Sequence, residues 1–127
     1  AGEIVLFRTG YTDTTFKPLP DAPTQDECFT APLAGKSEGW PTLAPEVIAL
    51  LATRGVRCVG MDTPTAGGVQ REASLMTYWA AAKHKVLIVE FLIGLDTVPE
   101  KGAWFLFAPI KIEGIRSGHG RALVLNP

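Results

Sequence analysis

The stretch KVLIVEFL, residues 85–92, decides how the rest of the chain is read. It sets a single acid, Glu90, among aliphatic and aromatic residues. Side chains alternate across a strand, so Val86, Ile88, Glu90 and Leu92 share one face and Leu87, Val89 and Phe91 the other. Both faces are apolar, which predicts a central strand covered on both sides. Glu90 then points into the protein. A carboxylate there needs a hydrogen-bond partner, a proton or a metal ion, because an unpaired buried charge is costly.

Just upstream, REASLMTYWAAAKHK (71–85) predicts a helix with Leu75, Met76, Trp79 and Ala80 on its core face. VRCVGM (56–61) predicts a strand, and DTPTAGGVQ (62–70) a loop at its C-terminal end. TLAPEVIALLATRG (42–55) is an amphipathic helix pattern. Pro45 and Glu46 suit its first turn, Val47, Ile48, Leu50 and Leu51 form the apolar stripe, and Gly55 ends it. EIVLF (3–7) predicts a further strand. Downstream, WFLFAPIKIEGI (104–115) holds one or two strands and RALVLN (121–126) a last one. Strand–helix–strand alternation followed by consecutive strands predicts an α/β fold with a mixed sheet and flanking helices.

Residues 11–42 are rich in Pro, Thr, Asp and Gly and lack periodicity. Connections of that length are often functional or interface-forming. Phe16, Phe29 and Trp40 in this loop either line an apolar pocket or pack the loop down.

The 127 residues fit one domain, and 46% hydrophobic content with 20% charged residues is an ordinary globular balance. A net charge of −1 without a basic stripe argues against nucleic acid and anionic membranes as partners. No apolar run has the length of a membrane-spanning helix. AGEIVLFRTGY (1–11) has no basic region or cleavage site ahead of its strand, unlike a signal peptide. Cys28 and Cys58 form neither a metal motif nor a disulfide framework, and a reducing, cytoplasmic setting is expected. Cys58 reads as a small buried hydrophobe.

In open α/β sheets, ligands bind beyond the C-terminal strand ends. Arg8-Thr9, Asp62-Thr63 and Glu90 fall at such ends, and they converge if the strands are parallel neighbours. Each has a structural alternative. Arg8 reads also as a surface residue or an ion-pair partner. Asp62 and Thr63 read also as turn caps. Glu90 reads also as a core acid paired with Arg or Tyr. His84 ends a helix between two lysines, which predicts an exposed position. His119 lies in the Gly-rich turn SGHG and is either a loop-tip or a site residue. There is no Gly-x-Ser-x-Gly elbow, Walker loop or dinucleotide fingerprint, and this chain alone does not assemble a metal site.

Taken in order, AGEIVLFRTGY, LAPEVIALLATRGVRCVGMDTPT, KVLIVEFLIGLDTVPEKG and WFLFAPIKIEGIRSGHGRALVL resemble the C-terminal part of the cyclase family that includes bacterial kynurenine formamidase and isatin hydrolase. The resemblance covers most of the chain outside about residues 12–42, which look like an enlarged loop. It implies a swivelling β/α fold and a hydrolase of amides, lactams, lactones or related acyl compounds. It also implies a divalent ion, zinc or manganese, that activates water. By that resemblance the residue matching Glu90 is a metal ligand.

Two departures qualify the resemblance. The family's His-x-Gly-Thr-His-x-Asp-x-Pro-x-His motif is absent, so residues 1–127 are expected to be the C-terminal part of one domain, completed by a second polypeptide. Counting back from Glu90, a further family ligand, a His, falls at Tyr78. Tyr is a poor substitute on zinc, because its phenol must first lose a proton. The resemblance therefore leaves two roles for Glu90. It is a metal ligand in a site completed by another chain, or it works without metal, paired with Tyr78 or an Arg, or as a general base. A non-catalytic, small-molecule-binding relic is the third reading. Arg8, Asp62, Thr63 and His119 are the expected substrate-binding residues, with Glu90 and Tyr78 catalytic. The expected assembly is an oligomer that binds a small-molecule substrate.

Overall fold

A computed structural model of the chain describes residues 2–18 and 26–126. The chain forms two compact units, Ala1–Asp96 and Thr97–Pro127.

The first unit is built on a three-stranded parallel sheet of β1 (Ile4–Phe7), β2 (Cys58–Met61) and β3 (Leu87–Val89), in the order β1-β2-β3. After β1 come a short helix α1 (Tyr11–Thr15), a π-helical turn (Asp26–Thr30) and a single helical turn α2 (Ala31–Leu33). Helix α3 (Pro45–Thr53) leads to β2, and helix α4 (Arg71–His84) leads to β3. Helix α1, the π turn and α2 all lie within the stretch expected to be irregular, of which residues 19–25 lie outside the described residues.

Helix α3 starts at Pro45, whose missing N–H costs nothing in a first turn, and Gly55 at φ 85 turns the chain out after it. The core joins Ile48 of α3, Val59 and Met61 of β2, Ala81 of α4, and Leu43, Val56, Ala66 and Val86. Val5, Phe7, Val47, Leu51, Ala80 and Ile88 pack against it.

Three expectations are corrected here. Among the described residues strand β3 lies at one edge of the sheet and β2 is the central strand. Strand order depends on which helix crosses over which strand, and a local apolar run does not encode that. Leu87 accordingly stands 71% exposed. The core face of α4 is also different: Thr77 and Ala81 are buried, whereas Leu75, Met76 and Trp79 are exposed. Small side chains suit the close packing of α4, and the Thr77 hydroxyl donates to the Leu43 carbonyl at 2.7 Å. His84 is half-buried rather than exposed.

The second unit is an antiparallel hairpin of β4 (Trp104–Pro109) and β5 (Gly120–Leu125). Trp104 opposes Leu125 and Leu106 opposes Leu123 across it. Parallel and antiparallel pairing thus occur in separate sheets of an α/β protein with flanking helices. Among the described residues no helix is long and apolar enough to cross a membrane.

Candidate active site

The C-terminal ends of β1, β2 and β3 lie side by side because the strands are parallel neighbours. Two backbone bonds carry the β2–β3 pairing past the strand ends. Phe91 N–H donates to the Thr63 carbonyl at 2.9 Å, and Leu92 N–H to the Met61 carbonyl at 3.0 Å. Gly60 leaves room between them, since a Cβ there would press on the Leu6 and Leu92 methyls.

Glu90 lies one residue beyond β3 and is partly buried. Its Oε1 accepts two hydrogen bonds, from the Ala66 N–H at 2.6 Å and from the Tyr78 hydroxyl. Among the described residues nothing bonds to Oε2, and that oxygen is not sealed from solvent. Phe91, at φ 59, breaks the strand alternation straight after Glu90 and stacks edge-on against Phe16.

The Tyr78 hydroxyl is pushed well above its ordinary pKa of 10.0, first by burial and then by its bond to, and the charge of, Glu90. The Thr65 hydroxyl and the Ala66 amide oppose that rise. Tyr78 is therefore a phenol, not a phenolate, throughout the neutral range. Its proton sits between the two side chains, as a donor to the carboxylate.

The donor Ala66 N–H is held by the loop that carries it. The Ala66 carbonyl accepts from Leu43 N–H at 2.8 Å. Trp40, only 4% exposed, donates its Nε1–H to the Thr65 carbonyl at 3.0 Å and to Thr65 Oγ1 at 3.1 Å. Gly67 lies against α4 so closely that a Cβ would run into the Ser74 backbone, and Gly68 takes φ 80. Phe29 stacks on Trp40 at 5.7 Å between ring centroids. Phe16 against Phe91 and Trp40 against Thr65 thus hold the described parts of the 11–42 segment onto the strand ends, with Phe29 stacked on Trp40. Trp40 also forms part of an open groove with Tyr11, Glu27 and Glu38.

Asp62 behaves differently from Glu90. It is 1% exposed, and its two oxygens accept from Thr9 N–H at 2.9 Å, Thr9 Oγ1 at 2.7 Å and Gly10 N–H at 2.7 Å. These bonds tie the end of β1 to the end of β2. Thr63 is fully buried and donates its hydroxyl to the Thr65 carbonyl at 3.2 Å. Arg8 points to the surface and pairs with Asp13 at 3.6 Å. His119 belongs to the hairpin unit, is exposed, and accepts from Ile110 N–H through its carbonyl at 2.8 Å. Of the residues singled out in the sequence, the structure brings Glu90 and Tyr78 into direct contact. Sequence reasoning missed Ala66 and Thr65, and read Trp40 only as pocket lining or loop packing, without its bonds to Thr65. The Gly67-Gly68 pair just after a strand end was the available signal for a closely packed backbone donor.

A parallel sheet that presents an acid–phenol pair at its C-terminal edge defines the class: an α/β protein with its candidate site beyond the strand ends. The chain belongs to the cyclase family, whose model, described as Putative cyclase, matches residues 1–67. A kynurenine formamidase of Erythrobacter litoralis (strain HTCC2594) is 34% identical over 85 residues, which are 67% of this chain and 38% of that protein. A solved structure of a potential metal-dependent hydrolase with cyclase activity matches at a TM-score of 0.58 and 27% identity, over 67% of this chain and 41% of that one. A predicted metal-dependent hydrolase from Bacillus stearothermophilus shares the fold at a TM-score of 0.68 and 24% identity, over 97% of this chain and 49% of that one. The chain thus spans 38% to 49% of the length of these relatives.

Those descriptions raise the question of a metal ion, which the donor set answers for this chain. Among the described residues no three His, Cys, Asp or Glu side chains come together. Glu90 offers one free oxygen, and its neighbour is a protonated phenol, which does not ligate. The described residues do not by themselves fit a divalent ion.

Proposed function

We propose that this chain carries the acid–base part of the active site of a cyclase-family hydrolase, one that cleaves an amide, lactam, lactone or related acyl bond by activating water. One observation carries the reading: Glu90 is fixed through Oε1 by Tyr78 and Ala66 while Oε2 is left open at the strand edge. A kynurenine formamidase among the relatives supports the substrate class. The rest of the site, and the other ligands if a zinc or manganese ion takes part, would come from residues outside these 127, since the relatives are about twice as long.

Oε2 removes a proton from water as the water oxygen bonds to the acyl carbon. Collapse of the tetrahedral species breaks the C–N or C–O bond, and the same Glu90 proton passes to the departing nitrogen or oxygen. Tyr78 and Ala66 hold Oε1 throughout, so that Oε2 keeps its aim. A general acid–base group of this kind supplies about 10²–10⁴-fold in rate.

A metal-independent version of the same reaction is the second reading, favoured by the Tyr78 phenol standing at the position where the resemblance implies an imidazole. The test uses the native assembly that contains this chain. It is assayed against formamides, lactams and lactones, before and after dialysis with a chelator, alongside its Glu90→Gln variant. A loss of about 10²-fold or more in the variant, at unchanged melting temperature, is expected for an acid–base residue. Full activity in Glu90→Gln overturns the proposal, and no turnover of any of these substrates by the parent points to a binding relic. Turnover that survives chelation selects the metal-independent reading. Turnover lost on chelation and restored by zinc or manganese selects a metal held mainly by ligands outside this chain.

A further inference from the structure

The indole of Trp40 and the carboxylate of Glu90 bond to opposite sides of one peptide group. The Thr65 carbonyl accepts from Trp40 Nε1–H at 3.0 Å and from the Thr63 hydroxyl at 3.2 Å. The N–H of that same peptide, on Ala66, donates to Glu90 Oε1 at 2.6 Å. A peptide group is planar and trans, so its C=O and N–H point in opposite directions. Whatever fixes the carbonyl therefore fixes the line along which the N–H meets the carboxylate. Donors on the carbonyl also polarise the amide and strengthen the bond that its N–H gives.

The two donors are themselves held. Thr63 is fully buried. Trp40 has Phe29 stacked on its ring at 5.7 Å between centroids and Tyr11 edge-on at 6.1 Å. Its Nε1–H also reaches Thr65 Oγ1 at 3.1 Å, and that oxygen accepts from Gly68 N–H at 3.1 Å. Three residues after Trp40, Leu43 N–H donates to the Ala66 carbonyl at 2.8 Å. The segment 40–43 thus grips the peptide on each side of Ala66.

We propose that Trp40 and Thr63 are positioning residues for Glu90: together they clamp the Thr65–Ala66 peptide so that its N–H aims the carboxylate. The role rests on the acid–base function proposed for Glu90. It gives the long connection ahead of α3 a task at the site, delivered through one indole N–H. Trp40 also walls an open groove with Tyr11, Glu27 and Glu38, and kinetics separate the two tasks. A groove wall acts on substrate binding and so on KM, whereas a clamp on the base acts on kcat.

The test uses the native assembly that contains this chain, with the substrate it turns over fastest among formamides, lactams and lactones. Trp40→Phe keeps an aromatic ring and removes the donor. Thr63→Val keeps the shape and removes the hydroxyl, and Thr63→Ser keeps the hydroxyl. Trp40→Phe and Thr63→Val are each expected to lower kcat about 3- to 10-fold, the worth of one hydrogen bond, with KM within about 2-fold. Thr63→Ser should stay within about 2-fold of the parent kcat. Added to Glu90→Gln, Trp40→Phe should cost less than about 2-fold more, because no base remains to be aimed. Hydrogen exchange gives a reading that needs no turnover. The Ala66 amide should exchange about 10-fold faster in Trp40→Phe, while the Leu92 amide, bonded to the Met61 carbonyl, keeps the parent rate.

Full kcat in both Trp40→Phe and Thr63→Val overturns the proposal. So does a loss of equal size with and without the Glu90 base, or a change confined to KM, which would make Trp40 a groove wall alone. An assembly that turns over none of these substrates overturns the acid–base reading instead. Ala66 exchange then decides the clamp by itself: faster exchange in Trp40→Phe upholds it, and an unchanged rate removes it.

Discussion

Two carboxylates end neighbouring strands of one sheet, and they are held in opposite ways. Asp62 accepts hydrogen bonds on both oxygens and is buried to 1% exposure. Glu90 accepts both of its bonds on one oxygen and is only partly buried. A saturated carboxylate has no acceptor left for a substrate, so Asp62 is a fastener between β1 and β2. A carboxylate fixed at one oxygen and open at the other has a set direction and a free lone pair. The lesson is that position at the strand edge nominates an acid, and the distribution of its hydrogen bonds decides between structure and chemistry.

The contrast breaks most sharply on activity. Glu90→Gln keeps an acceptor for Tyr78 and Ala66 but removes the base. A rate loss of about 10²–10⁴-fold is expected in the native assembly, with stability changed by less than about 1 kcal/mol. If stability falls and rate does not, Glu90 is the fastener and the comparison is inverted.

Asp62→Ala should do the reverse and act on folding. It leaves the Thr9 and Gly10 N–H groups without their acceptor and removes charge-assisted bonds at a buried position. A cost of about 3–5 kcal/mol is expected, read from the urea midpoint at constant slope. A shift below about 1 kcal/mol would mean that water replaces the carboxylate and that the β1–β2 ends do not depend on it.

How much of this was legible before the structure depends on what each residue advertises. The strands and the two long helices were legible, because VRCVGM and TLAPEVIALLATRG carry period and punctuation in their side chains. Glu90 was legible because nothing in its own segment satisfies it. The edge placement of β3 was not, since sheet order is set by crossovers rather than by local pattern. The buried side of α4 was misassigned because Thr77 and Ala81 look weak beside Leu75, Met76 and Trp79, yet small side chains are what close helix packing selects. The second donor to Glu90 was invisible for a plainer reason: it is the backbone N–H of Ala66, and a backbone group has no letter in the sequence.

That hidden donor sets the next expectation. Gly67→Ala would drive a Cβ into the Ser74 backbone, and α4 cannot give way locally without losing helix. The loop must move instead and carry Ala66 with it. A stability loss of about 1–3 kcal/mol is expected. Activity should fall more than that loss explains, because Glu90 would lose one of the bonds that aim it. Unchanged kinetics in a folded Gly67→Ala protein would show that Tyr78 suffices to position the carboxylate.

The smallest expected effect concerns Tyr78 itself, and pH exposes it. Tyr78→Phe removes one hydrogen bond to a charged acceptor, a loss of about 1–2 kcal/mol at neutral pH. The folded-state pKa of Tyr78 is raised above the ordinary 10.0, because burial and Glu90 both disfavour the phenolate. The stabilisation from its bond is thus fully present below about pH 10. It is lost as pH rises further, because the unfolded chain ionises first. Tyr11, the other tyrosine, is also raised, by burial first, but it is present in both proteins and cancels in their difference. Urea midpoints at pH 7, 9 and 11 should therefore show the parent ahead of Tyr78→Phe by a constant margin up to pH 9 and by a smaller one at pH 11. Absorbance at 295 nm gives the companion reading: the phenolate signal of the parent should rise later in the folded protein than in urea. A margin that does not narrow at pH 11 would mean that the phenol proton is not what joins Tyr78 to Glu90. The open oxygen of Glu90 would then owe its direction to Ala66 alone.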